Sequence, residues 1–341
     1  MLGAAGVMIR TLRTGGRAGV VVATDGAAGA RGAGAARLAA TRESETRRAL
    51  QRLGVGAGDV TFLGFADGGL AAAWGERWQA RRREGGDMSG SGVVDALGAA
   101  LHAFAPDTVI LPMSLDRHPD HAAVGRFAML AVLEAPAEPD VLAYLVHGGP
   151  GWPARSGRTD CRTIPRPAGC AAWFPWVSLR LDPGTTALKA ALVEEYRSQL
   201  ARGAALRPFA AENEPFARDV TVRANRAMAR WRPGVHRTSA GVVIDAPRAA
   251  CGLEVAKLRL RYVRDGRIEE RLVVLGPRDQ VLGGAPGAAL GAAGDVRLAR
   301  APRAVRLRLA GGTFAEVHGA VLDAVPSPGG RAAAPAWLLR W

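Results

Sequence analysis

Apolar and polar positions follow two different rhythms along this chain of 341 residues. In the first, short branched apolar runs bounded by glycine and polar residues alternate with stretches of helical period. The runs predict strands over 18–24, 59–64, 107–112 and 140–146, and the periodic stretches predict helices over 3–14, 41–53, 92–104 and 120–134. Strands alternating with helices build a mostly parallel, Rossmann-like sheet with flanking crossover helices. A strand over 173–181 and a helix over 184–201 continue the pattern, and 209–232 closes it. The stretches 71–91 and 148–169 predict loops over the sheet.

The rhythm changes near Gly234. Leu258, Leu260 and Tyr262 alternate with Arg259 and Arg261, and Asp265-Gly266 supplies a two-residue hairpin turn before 268–275 returns. Val305–Leu309 and Thr313–Leu322 predict a second hairpin across Gly311-Gly312. The expectation is an α/β domain over 1–233 and a small β-rich domain over 234–341, with Trp337 and Trp341 as packing anchors.

The densest chemistry lies between the strand at 107–112 and the helix after it, where Asp116, His118, Asp120 and His121 fall within six residues. Pro119 suits a first helical position, because its missing N–H would be unpaired there anyway. His118 and His121 then point to one side of the first turn, at the carboxyl end of a strand, where open α/β sheets bind ligands. Imidazole is a zinc ligand and can steady an oxyanion, and a nearby carboxylate such as Asp120 can fix an imidazole tautomer. A charged helix start carrying a solvated histidine pair is the plain structural alternative. The spacing is not the i, i+4 pair of zincins. The glycines of 26–34 do not form G-x-G-x-x-G, and Arg37 stands where a small residue must pack, which argues against a dinucleotide enzyme.

Five ordered motifs between Leu2 and Phe216 raise the information content beyond any one of them. They are Val20–Gly26 with its Thr-Asp-Gly turn, Arg42 and Glu45 before Leu53-Gly54, Phe62–Leu70, the His118–His121 run, and Lys189–Gln199. Tyr144–His147 and Trp152-Pro153 add to them. Together they resemble the PIG-L/LmbE family of zinc-dependent N-acetyl-sugar deacetylases. The resemblance implies one zinc ion with His121 as a ligand, His118 and Asp120 as catalytic residues, and Arg42, Asp67 and His147 lining the substrate pocket. It implies a small-molecule or lipid-linked amino-sugar substrate whose acetamide is hydrolysed.

The same resemblance implies a preceding motif, Ala-His-Pro-Asp-Asp-Glu, at the end of a first strand, carrying two further zinc ligands and the general base. The sequence given contains no such run, and Met1 falls about where the residue after it would stand. The expectation is therefore a sheet without its first strand and an incomplete ligand set. An upstream start is the favoured explanation, because the remaining motifs are mutually consistent. An inactive remnant or a non-catalytic carbohydrate-binding protein of the same fold is the alternative.

Composition changes this picture little. Hydrophobic residues make up 48%, and no uninterrupted apolar stretch is long enough to span a bilayer. Cys161, Cys170 and Cys251 form no C-x-x-C and read as a reduced, cytoplasmic set. The net charge of +14 comes almost wholly from scattered arginines, with Lys only at 189 and 257, so no nucleic-acid surface is expected. Arg81-Arg82-Arg83, beside Trp74 and Trp78, reads as a solvated loop, with an anionic substrate group or peripheral membrane contact as the alternative. His236 and His318 read as ordinary surface or half-buried histidines.

Overall fold

The computed structural model describes residues 3–75, 78–82, 87–153, 162–167, 173–201, 204–218, 220–225, 233–247, 255–275, 280–284, 286, 291–292, 294–301, 304–310, 314, 316–326 and 335–341. Cys161, Cys170, Cys251, Arg83, Gly311 and Gly312 lie outside these residues.

The first part runs α1 (Ala5–Arg13), β1 (Val20–Thr24), α2 (Ala33–Leu53), β2 (Val60–Phe65), α3 (Leu70–Trp74), β3 (Gln79–Arg81), β4 (Asp87–Ser89), α4 (Gly90–Phe104), β5 (Thr108–Pro112), α5 (Pro119–Leu133), β6 (Asp140–Tyr144), β7 (Trp176–Arg180), α6 (Pro183–Val193), α7 (Arg197–Leu200), β8 (Asn213–Ala217) and β9 (Thr221–Arg223). β1 and β2 pair in parallel, as do β5 and β6. β8 then lies antiparallel between β6 and β7. The fold is mixed α/β, as the sequence pattern predicts. Among the described residues β1 and β5 each edge their own sheet rather than pairing with one another.

Helix α5 positions the site. Ala122, Ala123, Gly125, Phe127 and Met129 to Val132 are all buried, and a helix apolar on most faces belongs in a core. It is covered by α3 and α4 and by strands from the C-terminal part of the chain. Gly125 explains how close it comes to β5, since a Cβ there would sit 2.2 Å from the Pro112 carbonyl oxygen. That approach sets the start of α5 directly beside the end of β5.

The second part is β-rich: β10 (Gly234–Thr238), β11 (Gly241–Pro247), β12 (Val255–Arg264), β13 (Arg267–Val274), β14 (Gln280–Gly284), β15 (Gly291–Ala292), β16 (Val296–Ala301), β17 (Ala304–Ala310), β18 (Gly319–Pro326) and β19 (Ala336–Arg340). These form a four-stranded sheet, β10-β11-β17-β16, and a seven-stranded sheet, β15-β14-β13-β12-β18-β19-β9. The β12–β13 hairpin turns at Asp265 and Gly266, both with positive φ (50° and 66°), as the Asp-Gly signal requires. Trp337 and Trp341 are buried.

Four details differ from the pattern. β17 and β18 do not form a hairpin: β17 pairs with β11 and β16, whereas β18 pairs with β12 and β19 in the other sheet. Helix α2 begins at Ala33 rather than near 41. Its alanines favour helix, and Gly34 costs only about 1 kcal/mol. The helix expected over 184–201 is two, α6 and α7. Buried Glu45 of α2 accepts hydrogen bonds from Ser198 N (2.8 Å) and Ser198 Oγ (2.7 Å), which holds the start of α7 apart from α6. The loop expected over 71–91 contains the rest of α3 and the β3–β4 hairpin. Trp74 and Trp78 face inward, against Phe127 and the Arg261 guanidinium, rather than toward solvent.

Candidate functional site

Asp116 is the anchor of the site, and its side chain has no exposed surface. Its Oδ1 accepts from His118 N at 2.9 Å, the local Asx turn that leads the chain into α5. Its Oδ2 accepts from Val146 N (2.8 Å) and His147 N (3.0 Å), just past the end of β6. One carboxylate thus ties together the loops that leave two adjacent parallel strands. Burial works to raise this carboxyl, but His121 beside it and the backbone N–H groups of His147 and His118 outweigh burial and hold it below its ordinary range.

Three imidazoles converge on this anchor. His118 stands at the N-cap of α5 and His121 in its first turn, with ring centroids 4.6 Å apart. The His147 ring lies 5.1 Å from that of His121 and 5.5 Å from that of His118. Sequence reasoning puts His147 at the mouth of the pocket; the structure brings it into the histidine group itself. Desolvation lowers the His147 pKa, Asp116 opposes that, and the neighbouring His121 and His118 add to the lowering. The Nδ1 atoms of both His118 and His121 are buried with no hydrogen-bond partner among the described residues. His121 Nδ1 sits 3.4 Å from Asp116 Oδ2. Asp116, His121 and His147 each offer a ligand atom, all within 4.8 Å of one another, and an O/N donor set of this kind suits a borderline divalent ion.

Asp120 is placed differently from its expected partner. Its carboxylate accepts from Gly68 N (2.5 Å) and Leu70 N (3.0 Å), capping α3 and binding the loop after β2 to the start of α5. Among the described residues it forms no hydrogen bond with His118 Nδ1. The loop it holds carries Asp67, whose Oδ2 lies 3.7 Å from Arg42 Nη1 and accepts from Ala28 N at 3.1 Å. Arg42 also donates to the Gly26 carbonyl, and its Nε is buried without a partner among the described residues. Asp25 Oδ1 accepts from Ala27 N (2.9 Å) and Asp67 N (3.2 Å), which shapes the turn. Arg42 and Asp67 therefore form one group, linked through the 67–70 loop and Asp120 to the histidines.

The role of Asp116 escapes the sequence reading, although its Asx turn is a local signal. Its other partners lie 30 and 31 residues downstream. His236 is half-buried in β10 and His318 is exposed, as expected. Among the described residues no helix is long and apolar enough to cross a membrane.

A site at the carboxyl ends of parallel strands stands where open α/β sheets bind their ligands. Residues 1–132 match the model of the PIG-L family, described as GlcNAc-PI de-N-acetylase. No curated protein matches the chain. Among solved structures, a conserved protein from Thermus thermophilus is similar at 24% identity and a TM-score of 0.41, over 64% of this chain and 88% of its own. The N,N'-diacetylchitobiose deacetylase from Pyrococcus horikoshii is similar at 18% identity and a TM-score of 0.42, over 63% of this chain and 77% of its own. A40926 pseudoaglycone deacetylase Dbv21 is similar at 16% identity and a TM-score of 0.45, over 64% of this chain and 90% of its own.

Proposed function

We propose that this protein is a metal-dependent amide hydrolase that removes the N-acetyl group of an amino sugar, free or carried on a lipid or larger glycoconjugate, in the cytoplasm. The observation that carries the reading is the convergence of His118, His121 and His147 on buried Asp116, with His118, His121 and Asp116 inside the stretch that matches the PIG-L model and His147 just beyond it. Zinc is the ion the donor chemistry favours, with His121 among its ligands. Once bound, such an ion supplies Lewis acidity to the acyl carbonyl and acidifies a water.

The chain's own side chains divide the remaining work. The general base that the resemblance puts in the preceding motif takes the water's proton, and His118, at the helix start, either hydrogen-bonds the oxyanion of the tetrahedral intermediate or hands a proton to the departing amine. Asp120 is a positioning residue: it fixes the 67–70 loop against α5, and so sets Asp67 and Arg42 relative to the histidines. Arg42 and Asp67 bind the sugar, Asp67 accepting from hydroxyls and the Arg42 guanidinium donating to a hydroxyl or phosphate oxygen.

The test is release of free amine from N-acetylglucosamine and from a lipid-linked N-acetylglucosamine, with zinc supplied. The wild-type chain releases amine, and His118→Ala lowers kcat on the order of 100-fold or more with little change in KM. Sugar binding without any amine release overturns hydrolysis and leaves a carbohydrate-binding role.

A further inference from the structure

We propose that Arg261 of β12 is a positioning residue for the sugar pocket: from the β-rich part of the chain it fixes the far end of α3, and through α3 the loop that carries Asp67. The inference rests on reading Arg42 and Asp67 as the groups that bind the amino sugar. It deepens that reading, because it gives the pocket a support from outside every motif of the α/β part.

Helix α3 has only five residues. A helix this short does not hold its own conformation, since nucleation fixes several dihedral angles before propagation repays them. Its shape is set by what grips its ends. At the N-terminal end the Asp120 carboxylate accepts from Gly68 N (2.5 Å), Leu70 N (3.0 Å) and Ala71 N (3.4 Å). At the other end, carbonyls of the last turn have no partner within the helix. Arg261 supplies the donors: Nη1 to the Trp74 carbonyl at 2.6 Å and Nη2 to the Gly75 carbonyl at 3.3 Å. An anion at the start and a cation at the end both match the helix dipole. The guanidinium is itself held. It is buried, its Nε donates to Glu270 Oε2 at 2.8 Å, and its Cζ stands 4.4 Å from the Trp74 ring centre and 4.1 Å from that of Trp78. Asp323 of β18 adds a second hold by accepting from Trp74 Nε1 at 2.9 Å.

Asp67 stands three residues ahead of Leu70. Its own N–H reaches Asp25 Oδ1 at 3.2 Å, the long end of the hydrogen-bond range, so the loop depends on α3 for the rest of its order. Releasing the Arg261 end lets α3 fray, and the bonds from Gly68, Leu70 and Ala71 to Asp120 open with it. Asp67 then loses its fixed separation of 3.7 Å from Arg42. The histidines stay in place, because α5 and Asp116 hold them independently. The effect therefore falls on sugar affinity rather than on the chemical step.

The experiment compares Arg261→Met with Arg271→Met in the full chain. Arg261→Met leaves Glu270 beside Arg259 at 3.1 Å, so no carboxylate is stranded. Arg271→Met breaks an ion pair of the adjoining strand, to Asp295 at 2.5 Å, and controls for lost stability, since Arg271 makes no hydrogen bond to α3 among the described residues. Hydrogen exchange reads the amides of 68–71, and calorimetry reads N-acetylglucosamine binding. Arg261→Met is expected to speed that exchange and weaken binding, each about 10-fold or more. In the amine-release assay KM rises by the same factor, with kcat within about 3-fold of wild type. Arg261→Lys keeps one donor but not the fork and recovers part of each loss. Should Arg261→Met not fold, Arg261→Lys carries the comparison, with an expected loss of about 3-fold or more. Arg271→Met leaves exchange and affinity within about 3-fold of wild type. Unchanged exchange or unchanged affinity in both Arg261 variants overturns the proposal, and so does an equal loss in Arg271→Met. Amine release with a KM that does not respond to Arg261 overturns this inference and leaves the hydrolase reading intact. Sugar binding that depends on Arg261 without amine release overturns only the hydrolase reading.

Discussion

Lys189 carries an ammonium group into a place that water does not reach, and its partner Glu214 is equally buried. Nζ lies 2.5 Å from Glu214 Oε1, and the same carboxylate accepts from Gly6 N (2.7 Å) and Val7 N (3.0 Å) at the start of α1. Burial pushes the lysine pKa down and Glu214 opposes this, with burial prevailing. Lys189→Met leaves the carboxylate with only helix N–H groups to balance it. Removing one partner of a buried pair costs about 3–5 kcal/mol, and the positive end of α1 favours the lower figure. Urea unfolding at neutral pH is expected to show about 3 kcal/mol lost in Lys189→Met and part of it regained in Lys189→Met with Glu214→Gln. A single variant within about 1 kcal/mol of wild type contradicts charge sharing at this site. The contrast with Asp116 shows what is legible residue by residue. His118, Asp120 and His121 stand out because their spacing matches a helix start. Arg42 and Asp67 stand out as parts of motifs. The anchoring role of Asp116 and the pairing of Lys189 with Glu214 do not, because their partners come from remote chain segments that only the fold brings together.

At the scale of elements, alternation tells strand from helix but not which strand meets which. The run at 304–310 alternates, which identifies an inward face, whereas that at 319–326 is a nearly continuous apolar run broken by Asp323, with 319–324 all buried. Neither pattern says that β18 pairs with β12, more than 50 positions away, or that β17 joins the opposite sheet. The β12–β13 hairpin is legible because its turn is local and Asp-Gly is one of the few dipeptides that fit two positive φ angles in succession. Helix α5 shows the same limit from the other side. Its apolar residues are visible in the sequence, but the reason for glycine at 125 is not, since that lies in the Pro112 carbonyl. This gives a prediction with a discriminating sign. Gly→Ala inside a helix ordinarily stabilises by about 1 kcal/mol. Here the new methyl meets backbone, which cannot rotate away, so Gly125→Ala is expected to destabilise by about 3 kcal/mol. A melting temperature equal to or above that of wild type contradicts the close approach.

The two parts of the molecule share their packing as well as the chain. Arg261 of β12 stacks between Trp74 (4.4 Å) and Trp78 (4.1 Å) and donates to the Trp74 carbonyl at 2.6 Å. Burial draws its pKa down to about 9, with Arg259 adding to the fall and Glu270 and Asp323 opposing it. Asp323 of β18 accepts from Trp74 Nε1 and from Arg126 Nε of α5, each at 2.9 Å. Ser114, just before Asp116, accepts from Ala336 N at 2.9 Å, and β9 pairs in parallel with β19. The segment that carries the candidate ligands is therefore braced by the β-rich part, and the two are expected to unfold together. The chain's three tyrosines report on this, since Tyr144 and Tyr196 lie in the first part and Tyr262 in the second. Burial raises all three pKa values, with Asp116 adding to it at Tyr144. Tyr196 reaches about 12 against the effect of a Thr46 hydrogen bond. At Tyr262, Arg271 pulls the other way while Glu269, which accepts the phenol proton at 2.9 Å, reinforces the rise. A folded-state pKa above the unfolded value of about 10 gives stability that is complete below that value and lost as pH rises through the folded one. In an alkaline titration, tyrosinate absorbance is therefore expected to stay near zero past pH of about 10 and then to appear for all three residues in one step. That step coincides with loss of the far-ultraviolet circular dichroism. If one tyrosine ionises in an earlier, separate step with partial loss of β signal, the β-rich part unfolds independently, and the bracing through Arg261 and Asp323 does not couple the two.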